Sequence, residues 1–220
     1  MNLERSEIPL VATVKPDAIT EKAIAPFDVT IDEVTKFYPW LPPEISEEYN
    51  IGLIVGNSGS GKSLLLKRMA NGGMKSTSFH RDYSIAAHFE SPEAAQEKLY
   101  AVGMNSVPKW KLPFHTLSNG EQHRVYVARN LVTGAGIDEF TSVVDRTVAK
   151  SLSVAVGRYI RKNDIKNIIF AACHFDIVPF LKPDWIIDTD GGTFTYQEKV
   201  DTSWYAEHIK GNSVGSLLRQ

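Results

Sequence analysis

Residues 56–63 read Gly56-Asn57-Ser58-Gly59-Ser60-Gly61-Lys62-Ser63, and this stretch decides the fold. Immediately before it runs Ile51-Gly-Leu-Ile-Val55, a short unbroken apolar segment of the kind a strand buried on both faces shows. Immediately after it, Ser63-Leu-Leu-Leu-Lys-Arg-Met-Ala70 opens a helix predicted to stop near Gly72-Gly73. Strand, glycine-rich turn and helix in that order match the pattern G-x-x-x-x-G-K-[ST]. The chemistry explains the residue types. Glycines accept positive backbone angles and leave room for a close approach, so successive N–H groups converge on an anion. The helix start adds unpaired amides and the positive end of its dipole. In such a loop Lys62 supplies a charge for the β- and γ-phosphates, and the Ser63 hydroxyl can ligate Mg²⁺. Residues 56–63 are therefore all candidate phosphate-binding positions.

Bulk properties bound the context. The 220 residues suffice for one good-sized domain, spanning the whole chain 1–220, and not for two with a linker. With 43% apolar and 10% aromatic residues the chain can bury a real core. Its 24 basic and 26 acidic side chains give a formal charge of −2, so no global positive field marks it as a DNA-coating protein. Cys173 is the sole cysteine, which excludes an internal disulfide, fits a reducing compartment, and predicts a small buried side chain beside a strand. The first seven residues lack the form of a signal peptide, and no window approaches about 18 apolar residues. A cytoplasmic protein with no membrane insertion of its own is expected.

Elsewhere the chain alternates strands and helices. Residues 9–16 and 26–34 alternate apolar and polar side chains and read as antiparallel strands of a small N-terminal β lobe, about residues 1–50. A segment rich in Pro and aromatic residues follows at 37–43. Residues 91–103 carry a capping Ser, Pro at the first helical position and Gly after the end. Helices are also predicted from Ser118 to about Leu131 and from Asp145 to Lys162, the latter with Val148, Leu152, Val156 and Ile160 on one stripe. Ile168–Cys173 reads as a second buried strand, and 185–196 as a hairpin about Asp190-Gly-Gly192. The tail after Lys199, about 199–220, has weak patterning. The sum is an α/β fold of the P-loop NTPase type, with a mostly parallel sheet plus the antiparallel lobe.

A second cluster narrows the reading. Leu117-Ser-Asn-Gly-Glu-Gln122 is on its own a helix cap, with Ser118 and Glu121 forming a capping box. Followed by Arg124-Val-Tyr-Val-Ala-Arg-Asn-Leu131, it resembles the signature motif and helix of ABC-class ATPases, usually L-S-G-G-Q. It departs at Asn119 and Glu121 and keeps Ser118 and Gly120. Ile137-Asp138-Glu139-Phe-Thr-Ser-Val-Val-Asp145 looks like that class's Walker B motif running into its D-loop. Ala172-Cys-His174-Phe-Asp176 stands where the class carries a switch histidine. The order of these motifs covers roughly residues 25–198. The wording Asp-Glu-Phe-Thr-Ser-Val-Val-Asp with Cys-His resembles a stand-alone, non-transporter bacterial and phage branch, which includes ATPases that accompany acetyltransferase-like domains.

The resemblance implies a head-to-tail homodimer with Mg·ATP sandwiched between one copy's phosphate loop and the partner's Ser118 and Gly120. It implies Asp138 at the metal, Glu139 on the attacking water and His174 at the γ-phosphate, with hydrolysis releasing the dimer. Phe37 or Tyr38 would stack on adenine, and Asp145 caps the next helix. Two features depart from the class. Thr133-Gly-Ala-Gly-Ile137 is glycine-rich where a strand belongs, which predicts a short one. No Q-loop glutamine follows the first helix: residues 79–84 offer His80 or Asp82, and Gln96 lies too deep in a helix. The implied partner is a macromolecule, protein or nucleic acid. Two alternatives stand beside it. One is a kinase passing the γ-phosphate to a hydroxyl, for instance on a modified base in phage DNA. The other is the nucleotide-binding subunit of a membrane transporter.

Overall fold

The computed structural model describes residues 1–27, 34–70 and 78–198. In chain order the elements are β1 (Leu10–Thr13), α1 (Ala18–Ile24), β2 (Val34–Phe37), β3 (Ile51–Val55), α2 (Lys62–Met69), α3 (Pro92–Ala101), α4 (Val107–Trp110), α5 (Asn119–Arg129), β4 (Gly136–Ile137), α6 (Arg146–Lys162), β5 (Ile168–Ala172), α7 (Val178–Leu181), β6 (Trp185–Asp188) and β7 (Thr193–Tyr196). The main sheet has the order β4-β5-β3-β6-β7, parallel except for the β6–β7 hairpin. β1 and β2 form a separate antiparallel pair.

β3 is central and fully buried along its length, as its unbroken apolar run requires. Its side chains alternate between two cores. Ile51, Leu53 and Val55 join the face covered by α3, α5 and α6, whereas Ile54 joins Leu65 and Leu66 of α2 on the other. Each such Ile or Leu contributes about 1.5–3 kcal/mol on burial, so the strand that leads into the glycine loop is firmly seated in the sheet.

The predicted helices lie where their caps put them. Asp145 Oδ1 accepts from the Thr147 and Val148 amides at the start of α6, and Ser91 Oγ from Ala94 at the start of α3. Of the α6 stripe, Leu152, Val156 and Ile160 are buried and Val148 is half-buried. β4 has only two residues, the short strand that its glycines predict.

Other elements differ from expectation. The second lobe strand, expected at 26–34, runs from Val34 to Phe37, and residues 28–33 lie outside the described residues. So do Gly72-Gly73 and the tail from 199. α1 escaped the alternation pattern, although Asp17, which caps it through the Ile19 and Thr20 amides, is a local start signal. Among the described residues no helix is long and apolar enough to cross a membrane.

Candidate functional site

The parallel register sets the site. Val55 of β3 lies opposite Ala172 of β5, and Phe170 of β5 lies opposite Ile137 of β4. The segments that leave these three strands, beginning at Gly56, Asp138 and Cys173, therefore emerge at one edge of the sheet. They enclose a cleft of about 300 Å³ lined by Ser58, Gly59, Gly61, Lys62, Ser63 and Leu64 of the loop, with Asp138, Glu139, Ala172, Cys173 and Phe37. Of the sequence-derived candidates, the lining thus includes Phe37, Ser58, Gly59, Gly61, Lys62, Ser63, Asp138 and Glu139. Gly56, Asn57 and Ser60 shape the loop from outside the lining.

Gly61 precedes α2 with φ 98°, a left-handed angle that favours glycine. A Cβ there would also stand 2.9 Å from Phe37 Cζ. Lys62 is buried, and its ammonium donates to Asn57 O at 2.6 Å, so the cation is folded back onto its own loop. At the other end of the turn Gly56 has φ 146°, and a Cβ would collide with Thr189 Oγ1.

Thr189 and Asp190, in the β6–β7 turn, hold the loop and were not identified from sequence. The Thr189 hydroxyl donates to Val55 O at 2.9 Å and lies 2.6 Å from Ser60 Oγ. A hydroxyl has one proton, so Ser60 is the donor in the second bond. The Asp190 carboxylate accepts the Asn57 amide at 2.9 and 3.0 Å, and its own amide donates to Asp188 Oδ1. The single local hint was Asp190-Gly-Gly192, a turn signal that carries no statement of what the turn touches.

The Asp138–Glu139 turn is held at several points. Glu139 has φ 50°, a conformation uncommon outside glycine. Its amide donates to Asp138 Oδ1 at 2.9 Å and its carbonyl accepts from Ser142 N at 3.0 Å. Phe140 N donates to Ala171 O at 2.9 Å, which ties the turn to β5. Thr141, fully buried, places Oγ1 3.2 Å from Nδ1 of His174. His174 itself is half-buried just beyond the cleft lining.

The aromatic candidates separate. Phe37 lines the cleft beside Gly61, whereas Tyr38 is exposed and contributes only its backbone carbonyl, to Arg5. Trp40 packs in the core under the Arg5 guanidinium. Cys173 requires a correction. It is exposed and lines the cleft, not the buried side chain its sequence context predicts, because β5 ends at Ala172 and the chain turns out of the sheet there.

Ser118 and Gly120 are absent from this cleft. They form the start of α5, Ser118 exposed and Gly120 half-buried, where the Ser118 amide and hydroxyl both donate to Glu121 Oε2, at 3.1 and 3.0 Å. Lys109 of α4 forms an ion pair with the other oxygen of Glu121. These bonds, the one from Lys109 foremost, hold the Glu121 carboxyl down at about 2. A Cβ on Gly120 would sit 3.5 Å from Val143 O, in the loop that follows Glu139. The loop residues His80 and Asp82 bond each other, Asp82 N to His80 Nδ1 at 3.3 Å, apart from the cleft, and Gln96 is within α3.

No protein-family model matches the chain, and no curated protein is similar to it. Solved structures are. The ATP-binding cassette MJ0796, in a dimeric post-hydrolysis state bound to ADP and Pi, is 13% identical with a TM-score of 0.57, over 90% of this chain and 100% of that one. A dimeric structure of MJ0796 described as a bacterial ABC transporter cassette is 11% identical with a TM-score of 0.55 over the same shares. A chain in the complex of archaeal ribosomal stalk protein aP1 with archaeal ribosome recycling factor aABCE1 is 17% identical, with a TM-score of 0.52 over 73% of this chain and 40% of that one. The chain has the α/β fold of an ATP-binding cassette.

Proposed function

We propose that this chain is one ATP-binding cassette domain that binds and hydrolyses Mg·ATP as a head-to-tail homodimer, and that the cycle drives or clamps a macromolecular partner. The observation that carries the reading is the meeting of Lys62 and Ser63, beyond the end of β3, with Asp138 and Glu139, beyond the end of β4, in one cleft. The Ser118–Gly120 helix start, exposed at Ser118 and standing outside that cleft, supports a site completed by a second copy.

In this reading the loop amides and Lys62 cradle the triphosphate, and Lys62 gives up its Asn57 carbonyl to do so. Ser63 and Asp138 offer hard oxygen donors, few in number, which suit Mg²⁺ because it keeps several waters and shares the phosphates. Bound there, Mg²⁺ neutralises charge on the phosphate oxygens. Glu139 holds the attacking water, His174 reaches the γ-phosphate, and the partner's helix start supplies amides to the same group. Phe37 packs against adenine.

The Asp-Glu-Phe-Thr-Ser wording supports a stand-alone branch of the class acting beside a protein or nucleic acid. Light scattering with Glu139→Gln in saturating Mg·ATP tests the composite site, with a trapped dimer expected. A persistent monomer overturns it. Incubation of the wild type with γ-labelled ATP and DNA separates the chemistries: free labelled phosphate supports hydrolysis, whereas label on the DNA means a kinase. Stable co-purification with a membrane protein would favour a transporter subunit instead.

A further inference from the structure

His123 is a half-buried titratable group for which the mechanism above has no use. It lies on α5, one turn beyond the Ser118–Gly120 start, and its Nε2 stands 3.0 Å from the carbonyl oxygen of Phe140. A carbonyl only accepts, so Nε2 carries the proton and donates. Burial, outweighing the Phe140 bond and the Glu139 charge, holds the imidazole below its ordinary value.

The contact belongs to a longer seam. Gly120 faces Val143 O, and His123 holds Phe140 O. Positions 120 and 123 lie three apart on one helix face, so that side of α5 runs along residues 140–143.

That turn has a particular need of support. Glu139 sits at φ 50°, a strained conformation outside glycine that persists only where the surroundings hold it. Phe140 is held on its amide side by β5, through Ala171 O, and on its carbonyl side by His123. The first bond ties the turn to the rigid sheet. The second ties it to the helix whose start lies on the exposed face.

We infer that His123 is a positioning residue for Glu139, fixing through Nε2 the turn that carries this carboxylate into the cleft. The inference rests on the reading of Glu139 as the water-holding group.

Glutamine and asparagine separate this role from packing. The Gln amide nitrogen falls close to the imidazole Nε2 and the Asn nitrogen close to Nδ1, so only His123→Gln restores the donor. Misplacement of a reacting group lowers turnover by factors of about 10–100 with little effect on binding. We expect His123→Asn to lose about tenfold or more in kcat, with KM for ATP within about threefold, and His123→Gln to stay within about threefold of wild type. Each change is also made on Glu139→Gln, where ATP-driven dimerisation should survive.

A folded His123→Asn with wild-type kcat overturns the inference. So do equal losses in Asn and Gln, or a loss of dimerisation matching the loss of turnover, which indicate packing alone. Should His123→Asn fail to fold, His123→Met, close to Gln in shape and lacking the donor, takes its place against the same outcomes. A wild-type chain that releases no phosphate from Mg·ATP sinks the functional reading and this inference together. Wild-type turnover unaffected by His123→Asn sinks this inference alone.

Discussion

Replacing Thr189 by valine tests whether a hairpin far along the chain sets the shape of the phosphate loop. The substitution keeps the volume and removes one hydroxyl. Val55 O stays satisfied, because the Thr189 amide also donates to it at 2.9 Å. Ser60 is the loser: the hydroxyl that its own bonds to among the described residues, 2.6 Å away, disappears while Ser60 remains half-buried. An unsatisfied polar group of this kind costs about 1–3 kcal/mol, at the lower end where water reaches it. For a domain of this size about 1–2 kcal/mol lowers Tm by roughly 2–8 °C. If the tether holds the loop ready for phosphate, part of the cost returns in binding, and Kd for Mg·ATP rises up to about tenfold. Titration calorimetry and thermal melts on Thr189→Val, Ser60→Ala and the double variant read both terms. Because the two hydroxyls act as a pair, the double variant should be no worse than the poorer single one. Wild-type ATP affinity in Thr189→Val, or strictly additive losses across the cycle, would refute the tether.

Four further outcomes follow from the same geometry. Phe37→Ala should weaken ATP binding by about 1–3 kcal/mol, the scale of base–aromatic stacking, while Tyr38→Ala leaves it unchanged; equilibrium titration with a fluorescent ATP analogue decides. The Glu121 carboxyl, held near 2 when folded, stabilises the fold above its ordinary value of 4.5 and loses that contribution as pH falls toward about 2. Melts between pH 5 and pH 2 should therefore decline more steeply in the wild type than in Glu121→Gln. Maleimide should label the exposed thiol of Cys173, and Mg·ATP at ten times its Kd should slow labelling about tenfold through occupancy of the cleft. Ser118→Arg should bind ATP as a monomer and fail to turn it over, and a variant with normal phosphate release removes the helix start from the site.

How much could be read without coordinates depends on how local each cause is. The phosphate loop was legible because its requirements are written in eight consecutive residues: glycines where the backbone must take φ of 146°, 81° and 98°, then a lysine and a hydroxyl at a helix start. Asp145 and Ser118 were equally legible as caps, since a cap acts within three residues of itself. The run Ile51–Val55 announced a buried strand because both of its faces had to be apolar.

The sequence by itself thus determined the class of fold, the loop that can take a triphosphate and the order of the motifs around it, because each rests on neighbours along the chain. Only the tertiary structure decided which side chains meet there. Thr189 and Asp190 reach Ser60 and Asn57 across more than 120 residues, through the β3–β6 register. Phe37, the last residue of β2, faces the cleft beside Gly61 and Tyr38, one residue on, does not, a choice set by where β2 ends against the loop. Cys173 lies in the open because β5 ends one residue earlier. His123 was only one more polar residue on a helix until the packing of α5 set it against the carbonyl beside Glu139.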